Sequence, residues 1–87
     1  KEFMLEHILI YNNRGVAYPK IGEYQRAIGD FSKAIHLLPG YADSYFKRGA
    51  VYLGQDHKEA GCRDAQKACD LGNCSLLEIA AQKGDCR

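Results

Sequence analysis

Neither sign of charge is in excess: 12 Lys and Arg face 11 Asp and Glu, for a formal net charge of +1 at pH 7. Acids and bases are interspersed. There is no basic patch of the kind that binds nucleic acid and no like-charge run of the kind that marks a disordered tail. Long apolar runs are missing too. None approaches the roughly 20 residues that a helix needs to cross a bilayer, so no membrane partner is expected. No N-terminal stretch has the layout of a secretory signal. The chain therefore reads as soluble and cytoplasmic, although a mature exported domain would read the same. Enzyme signatures are also lacking: no P-loop, no GxGxxG, no HExxH and no serine elbow. Phosphate has no glycine-rich strand-to-helix turn to rest on, and His7 and His36 have no visible partner for catalysis. Neither an enzyme nor a cofactor is expected.

What is present is a repeat. A shift of 34 residues carries Tyr11 onto Tyr45, Arg14 onto Arg48, Gly15 onto Gly49 and Tyr18 onto Tyr52. It also carries Asp30 onto Asp64, Lys33 onto Lys67, Ala34 onto Ala68 and Leu37 onto Leu71. Eight identities fall in 34 ungapped positions, where residue frequencies alone give about two. A fixed period between 20 and 50 residues marks a stacked-repeat architecture.

The chain resembles the tetratricopeptide repeat (TPR) family, whose 34-residue pattern places an aromatic, Gly, Tyr, Ala, Phe, Ala and Pro at set offsets. The first repeat supplies Tyr11, Gly15, Tyr18, Ala27, Phe31, Ala34 and Pro39 there, with Arg14 where a Leu is usual. The second supplies Tyr45, Gly49, Tyr52 and Ala68 and departs at Gly61 (Ala expected), Ala65 (Phe expected) and Asn73 (Pro expected). The resemblance implies an all-α fold: antiparallel helical hairpins in a right-handed superhelix, closed by a C-terminal capping helix. Chemistry agrees with it. Small residues at Gly15, Ala27 and Ala34 permit close helix approach, Tyr11, Tyr18 and Phe31 fill the space between, and Pro39 stops a helix.

One domain over residues 1–87 is expected, with repeat one at about 8–41, repeat two at about 42–75 and a capping helix at about 75–84. Helices are predicted over 8–21, 24–38, 42–54, 57–71 and 75–83. Residues 1–7 carry little signal: either Lys1 to Phe3 are a cloning remnant before a native start at Met4, or residues 1–7 extend the first helix by a turn. Pro19 either kinks the first helix or ends it early, and Gly22 closes that segment. Tyr24, Ala27, Ile28, Phe31, Ala34, Ile35 and Leu38 form an apolar face, with Arg26, Asp30 and Lys33 on the outer side. Gly54 is predicted just past a helix end, Asp56 as an N-cap, and Ser75 with Glu78 as a capping box. Leu76, Leu77, Ile79 and Ala80 give the last helix one apolar side. Two repeats are few for a stack, since each unit buries its apolar face only against a neighbour, so a homodimer, or a longer parent chain, is a second expectation.

The resemblance implies a concave groove lined by the first helix of each pair. Its offsets fall on Leu9, Asn12, Asn13, Val16 and Lys20, then on Asp43, Phe46, Lys47 and Ala50. Asn offers peptide backbone a donor and an acceptor, Lys47 a charge for a carboxylate, and Phe46 an apolar anchor. Val16 and Ala50 stand where the carboxylate clamps of some family members carry a polar residue, so a complete clamp is not expected.

Four cysteines, Cys62, Cys69, Cys74 and Cys86, lie in the last third. Cys62 and Cys69 replace Ile28 and Ile35 of the first repeat, which suits small buried hydrophobes. Disulfides are the alternative. With the last two helices antiparallel about a turn near residue 73, Cys62 approaches Cys86 and Cys69 approaches Cys74. A helix of about ten residues would hold Cys74 and Cys86 some 15 Å apart, whereas a disulfide needs Cα atoms within about 7 Å. Disulfides would imply an oxidising compartment. Metal binding is not expected: the CxxC pairs of tight zinc sites are lacking, and His57 reads as a surface residue. The functional expectation is a protein-binding module that takes a protein or peptide in the groove. Self-assembly through repeat ends and a cysteine-based redox or metal module are the alternatives.

Overall fold

The computed structural model describes residues 24–86. The helix predicted over 8–21, with Pro19 and Gly22, lies outside them. So do Leu9, Tyr11, Asn12, Asn13, Gly15, Val16, Tyr18 and Lys20.

The described residues fold as four helices with no strand: α1 Tyr24–Leu37, α2 Ala42–Gly54, α3 Lys58–Asp70 and α4 Ser75–Lys83. The first follows its apolar stripe. Ala27, Ile28, Phe31 and Ala34 are buried at helical spacing. Pro39 and Gly40 then turn the chain, with the Tyr41 N–H donating to the Leu38 carbonyl.

Helices α2 and α3 pair antiparallel. Leu53, near the end of α2, meets Gly61 near the start of α3, and Arg48 meets Asp64 one turn further along each. The backbones come close because two glycines face each other. A Cβ on Gly49 would lie 2.8 Å from Leu76 Cδ2 and 3.2 Å from the Gly61 carbonyl oxygen, and one on Gly61 would lie 2.6 Å from Leu53 Cγ. The space that Ala would fill at position 61 is thus already occupied by Leu53, which accounts for that departure from the repeat pattern. Helix α4 returns along α3 and lays Leu76 and Ala80 into the core. Ile79, predicted on the same apolar side, is 48% exposed.

Several local expectations are corrected. Gly54 is the last residue of α2 rather than the residue beyond it. Asp56 does not cap α3: it has φ +64° and closes the end of α2, while His57 takes the cap position without a side-chain bond. Ser75 does not cap α4. Cys74 stands at that position, and the Asn73 side chain accepts from the Ser75 N–H at 3.2 Å. Asp30, expected on the outer face, is buried. Cys62 and Cys69 are not free hydrophobes. Cys62 is bonded to Cys86 with Cα atoms 5.6 Å apart, and Cys69 is bonded to Cys74 across the turn after α3.

Candidate functional site

The groove positions of the second repeat form one stripe on α2, since residues 43, 46, 47 and 50 recur at helical spacing. Asp43, Phe46 and Lys47 are half-buried and Ala50 is exposed. Lys47 is not a bare charge: its Nζ lies 2.9 Å from Asp43 Oδ2, one turn back. Asp43 on the N-terminal side is the favourable order for such a pair, because the first turn of a helix attracts negative charge. A ligand carboxylate would have to compete with Asp43 for Lys47.

The stripe runs into a cleft between α2 and α4 of about 260 Å³. Ala50, Leu53 and Gly54 form one wall, Ile79, Ala80 and Lys83 the other, with Leu76 and Asp85 completing it. Its exposed apolar side chain, Ile79, stands beside the exposed Lys83. An apolar floor with a cation at its rim can take an apolar side chain and, beside it, a carbonyl or carboxylate. The resemblance drew attention to Ala50 but not to Ile79, Leu53 or Lys83. The available signal was the i, i+4 spacing of Ile79 and Lys83, which puts both on one side of α4.

A second cluster lies inside the fold. The Arg48 guanidinium donates twice to the Asp64 carboxylate, from Nε to Oδ2 at 2.7 Å and from Nη2 to Oδ1 at 2.8 Å. Its third nitrogen donates to Ser32 Oγ at 3.1 Å. One side chain thus ties α1, α2 and α3 together. The Tyr45 and Tyr52 rings lie 5.8 and 5.9 Å from its central carbon, within cation–π range. The hydrogen bond to Asp64 raises the Arg48 pKa above its ordinary value, against a smaller opposing effect of burial.

Over 57 residues the chain is 39% identical to tetratricopeptide repeat protein 28 of Homo sapiens, a match covering 63% of this chain and 2% of that protein. It is 31% identical over 62 residues to a DnaJ homolog subfamily C member 7 homolog of Dictyostelium discoideum, covering 71% of this chain and 12% of that one. It is 40% identical over 48 residues to an Hsp70-Hsp90 organizing protein of Triticum aestivum, covering 55% and 8%. No family model matches. The chain spans only 2%, 12% and 8% of the length of these relatives. With its 34-residue period and its described helices, the chain is a tetratricopeptide-like helical repeat.

Within the TPR frame, Ala27, Phe31, Ala34, Gly49 and Ala68 are buried, Tyr45 and Tyr52 are half-buried, and Pro39 is exposed in its turn. Ala65, standing where a Phe is usual, is fully buried. The Arg48–Asp64 tie was visible in the TPR-like sequence only as two polar identities among the eight, 16 residues apart. The cysteines sit away from the α2 stripe, on α3 and at both flanks of α4. Among the described residues no group of three or more His, Cys, Asp and Glu is placed to hold a metal ion, and no helix is long and apolar enough to cross a membrane.

Proposed function

We propose that this TPR-like chain is a protein-binding module that takes an extended peptide, or a helix of a partner protein, along the α2 stripe and into the α2–α4 cleft. The observation that carries the reading is the exposed apolar surface of Ile79 and Ala50, gathered in a cleft that continues the face of Phe46 and Lys47. Leu9, Asn12, Asn13, Val16 and Lys20 of the first repeat extend the same face in this proposal. Its mechanism is preorganisation: stacked helices hold the surface before the ligand arrives, so little ordering entropy is lost. The relatives support a protein as the class of ligand, since the name of the Triticum aestivum protein says that it organises Hsp70 and Hsp90. The two disulfides support an oxidising compartment, where such bonds persist. Paired in disulfides, the four sulfurs have no thiolate to offer a metal.

Affinity capture from a native lysate, read by mass spectrometry, tests the proposal. The control is the Phe46→Ala, Lys47→Glu, Ile79→Asp triple variant. A partner enriched on the wild type and lost on a folded triple variant supports the α2–α4 face. A partner retained by the variant removes that face from consideration, and recovery of the chain alone would favour self-assembly through repeat ends.

A further inference from the structure

We propose that the Cys62–Cys86 disulfide is a redox latch that seats α4, and that a low-molecular-weight thiol opens it by attacking Cys62. Helix α4 has nine residues, fewer than the roughly 12 to 15 that an isolated helix needs to persist in water. It buries only Leu76 and Ala80. Both of its flanks are bonded to α3: Cys74 directly before it to Cys69, and Cys86, three residues beyond Lys83, to Cys62. The two bonds are not equivalent. Cys69–Cys74 closes only the turn, with a sequence separation of 5. Cys62–Cys86, with a separation of 24, encloses most of α3, the turn and all of α4. Breaking it leaves α4 tethered at one end with two apolar side chains to hold it.

The surface shows how it can be reached. Cys62 is partly exposed and lines an open hollow of about 440 Å³ together with Cys86, between Lys58, Glu59, Leu77 and Asp85. Cys86 is buried, at 7% exposure. Cys62 is the more exposed of the bonded pair, and in this proposal the external thiolate attacks its Sγ from the hollow. It forms a mixed disulfide with Cys62, the Cys62–Cys86 bond breaks, and Cys86 leaves as a thiolate that takes up a proton. A second thiol attacks the external sulfur of that mixed disulfide and releases Cys62. Two external thiols become one disulfide while the protein disulfide becomes two thiols. Release of α4 draws Leu76 away from Gly49 and removes the Ile79 and Lys83 wall of the α2–α4 cleft. The latch itself does not depend on what that cleft binds.

The test is amide hydrogen exchange of the full chain, oxidised and after reduction, with thiol labelling to establish that Cys62 and Cys86 are free. The expected result is a loss of protection of about 100-fold or more over residues 76–83, with α2 and α3 amides within a few-fold of their oxidised values. The Cys62→Ala, Cys86→Ala variant, which keeps the Cys69–Cys74 bond, is expected to show the same loss without reductant. Unchanged protection over 76–83 in either sample overturns the latch, because α4 would then be seated by packing alone. Simultaneous loss over α2, α3 and α4 also overturns it, because the bond would then be a staple for the whole fold. With glutathione in substoichiometric amounts, the trapped adduct is expected on Cys62, and an adduct on Cys86 removes the proposed route.

Discussion

Arg48 holds three helices through five-donor geometry, and its energetics follow from what surrounds it. Asp64 is 5% exposed, so removing Arg48 leaves a carboxylate in the interior without its two charged donors. Arg48→Ala is expected to lower unfolding free energy by about 3 kcal/mol in urea titration. Arg48→Lys keeps the charge but not the planar fork and should fall between Arg48→Ala and wild type. The Arg48→Met, Asp64→Leu pair should recover most of the loss, since no unpaired buried charge remains. Because the folded pKa of Arg48 is raised, its contribution is fully present below the unfolded value and is lost only as pH rises through the folded one. Arg48 therefore stays charged throughout the neutral range. Gly61 gives a second residue-level expectation. Gly61→Ala brings a Cβ to 2.6 Å from Leu53 Cγ and should destabilise by about 1–2 kcal/mol despite the better helix propensity of Ala. In a Leu53→Ala background the same change should stabilise by up to about 1 kcal/mol, and a double-mutant cycle by urea unfolding measures the coupling.

Helix ends show one solution used three times. After α2 the His57 N–H donates to the Tyr52 carbonyl and the Asp56 N–H to that of Leu53; after α3 Asn73 and Gly72 donate to Ala68 and Cys69; after α4 Asp85 and Gly84 donate to Ala80 and Ala81. Each is a Schellman closure, which needs a left-handed residue. Gly72 and Gly84 supply it with φ +110° and +83°, but after α2 the residue is Asp56 at φ +64°. A side chain is strained there where glycine is not. Asp56→Gly is expected to raise stability by about 0.5–1 kcal/mol and Asp56→Val to lower it by a similar amount or more, read as opposite shifts in Tm. Sequence reasoning assigned Asp56 to the start of α3 because Asp is a common N-cap. The same residue type also tolerates left-handed backbone, and only the three-residue span from α2 to α3 decides between the two uses.

For the whole molecule, small size makes the covalent links matter. A chain of this length buries a modest core, and a loop of about 24 residues closed by one disulfide is worth about 3 kcal/mol in the chain-entropy account. A bond that stapled the whole fold would thus cost about 10 °C in the Tm of α1–α3 on reduction, whereas a latch on α4 alone leaves that transition within a few °C. Calorimetry with and without reductant checks this, with the Cys69→Ser, Cys74→Ser variant separating the smaller loop's share. The hydrogen-exchange experiment above asks the same question helix by helix, namely whether the loss is confined to α4.

The period, the helical class and four of the helix spans were legible because they rest on local properties: 34-residue recurrence, apolar spacing at 3.6, and Pro39 with Gly40 as a break. The buried face of α1 followed from the same spacing. What the linear chain left open was every feature that depends on two distant segments meeting. Asp30 reads as an outer-face residue and yet is buried, Asp64 is met by Arg48 of another helix, and Gly61 looks like a defect until Leu53 is seen in its place. Cys62 reads first as a free buried hydrophobe, with a bond to Cys86 as the alternative, until α4 is laid back along α3. The Ile79 cleft exists only because Leu76 and Ala80 turn inward and leave Ile79 out. Helical periodicity is carried by neighbours in sequence, whereas burial, pairing and clefts are decided by which helix faces come together.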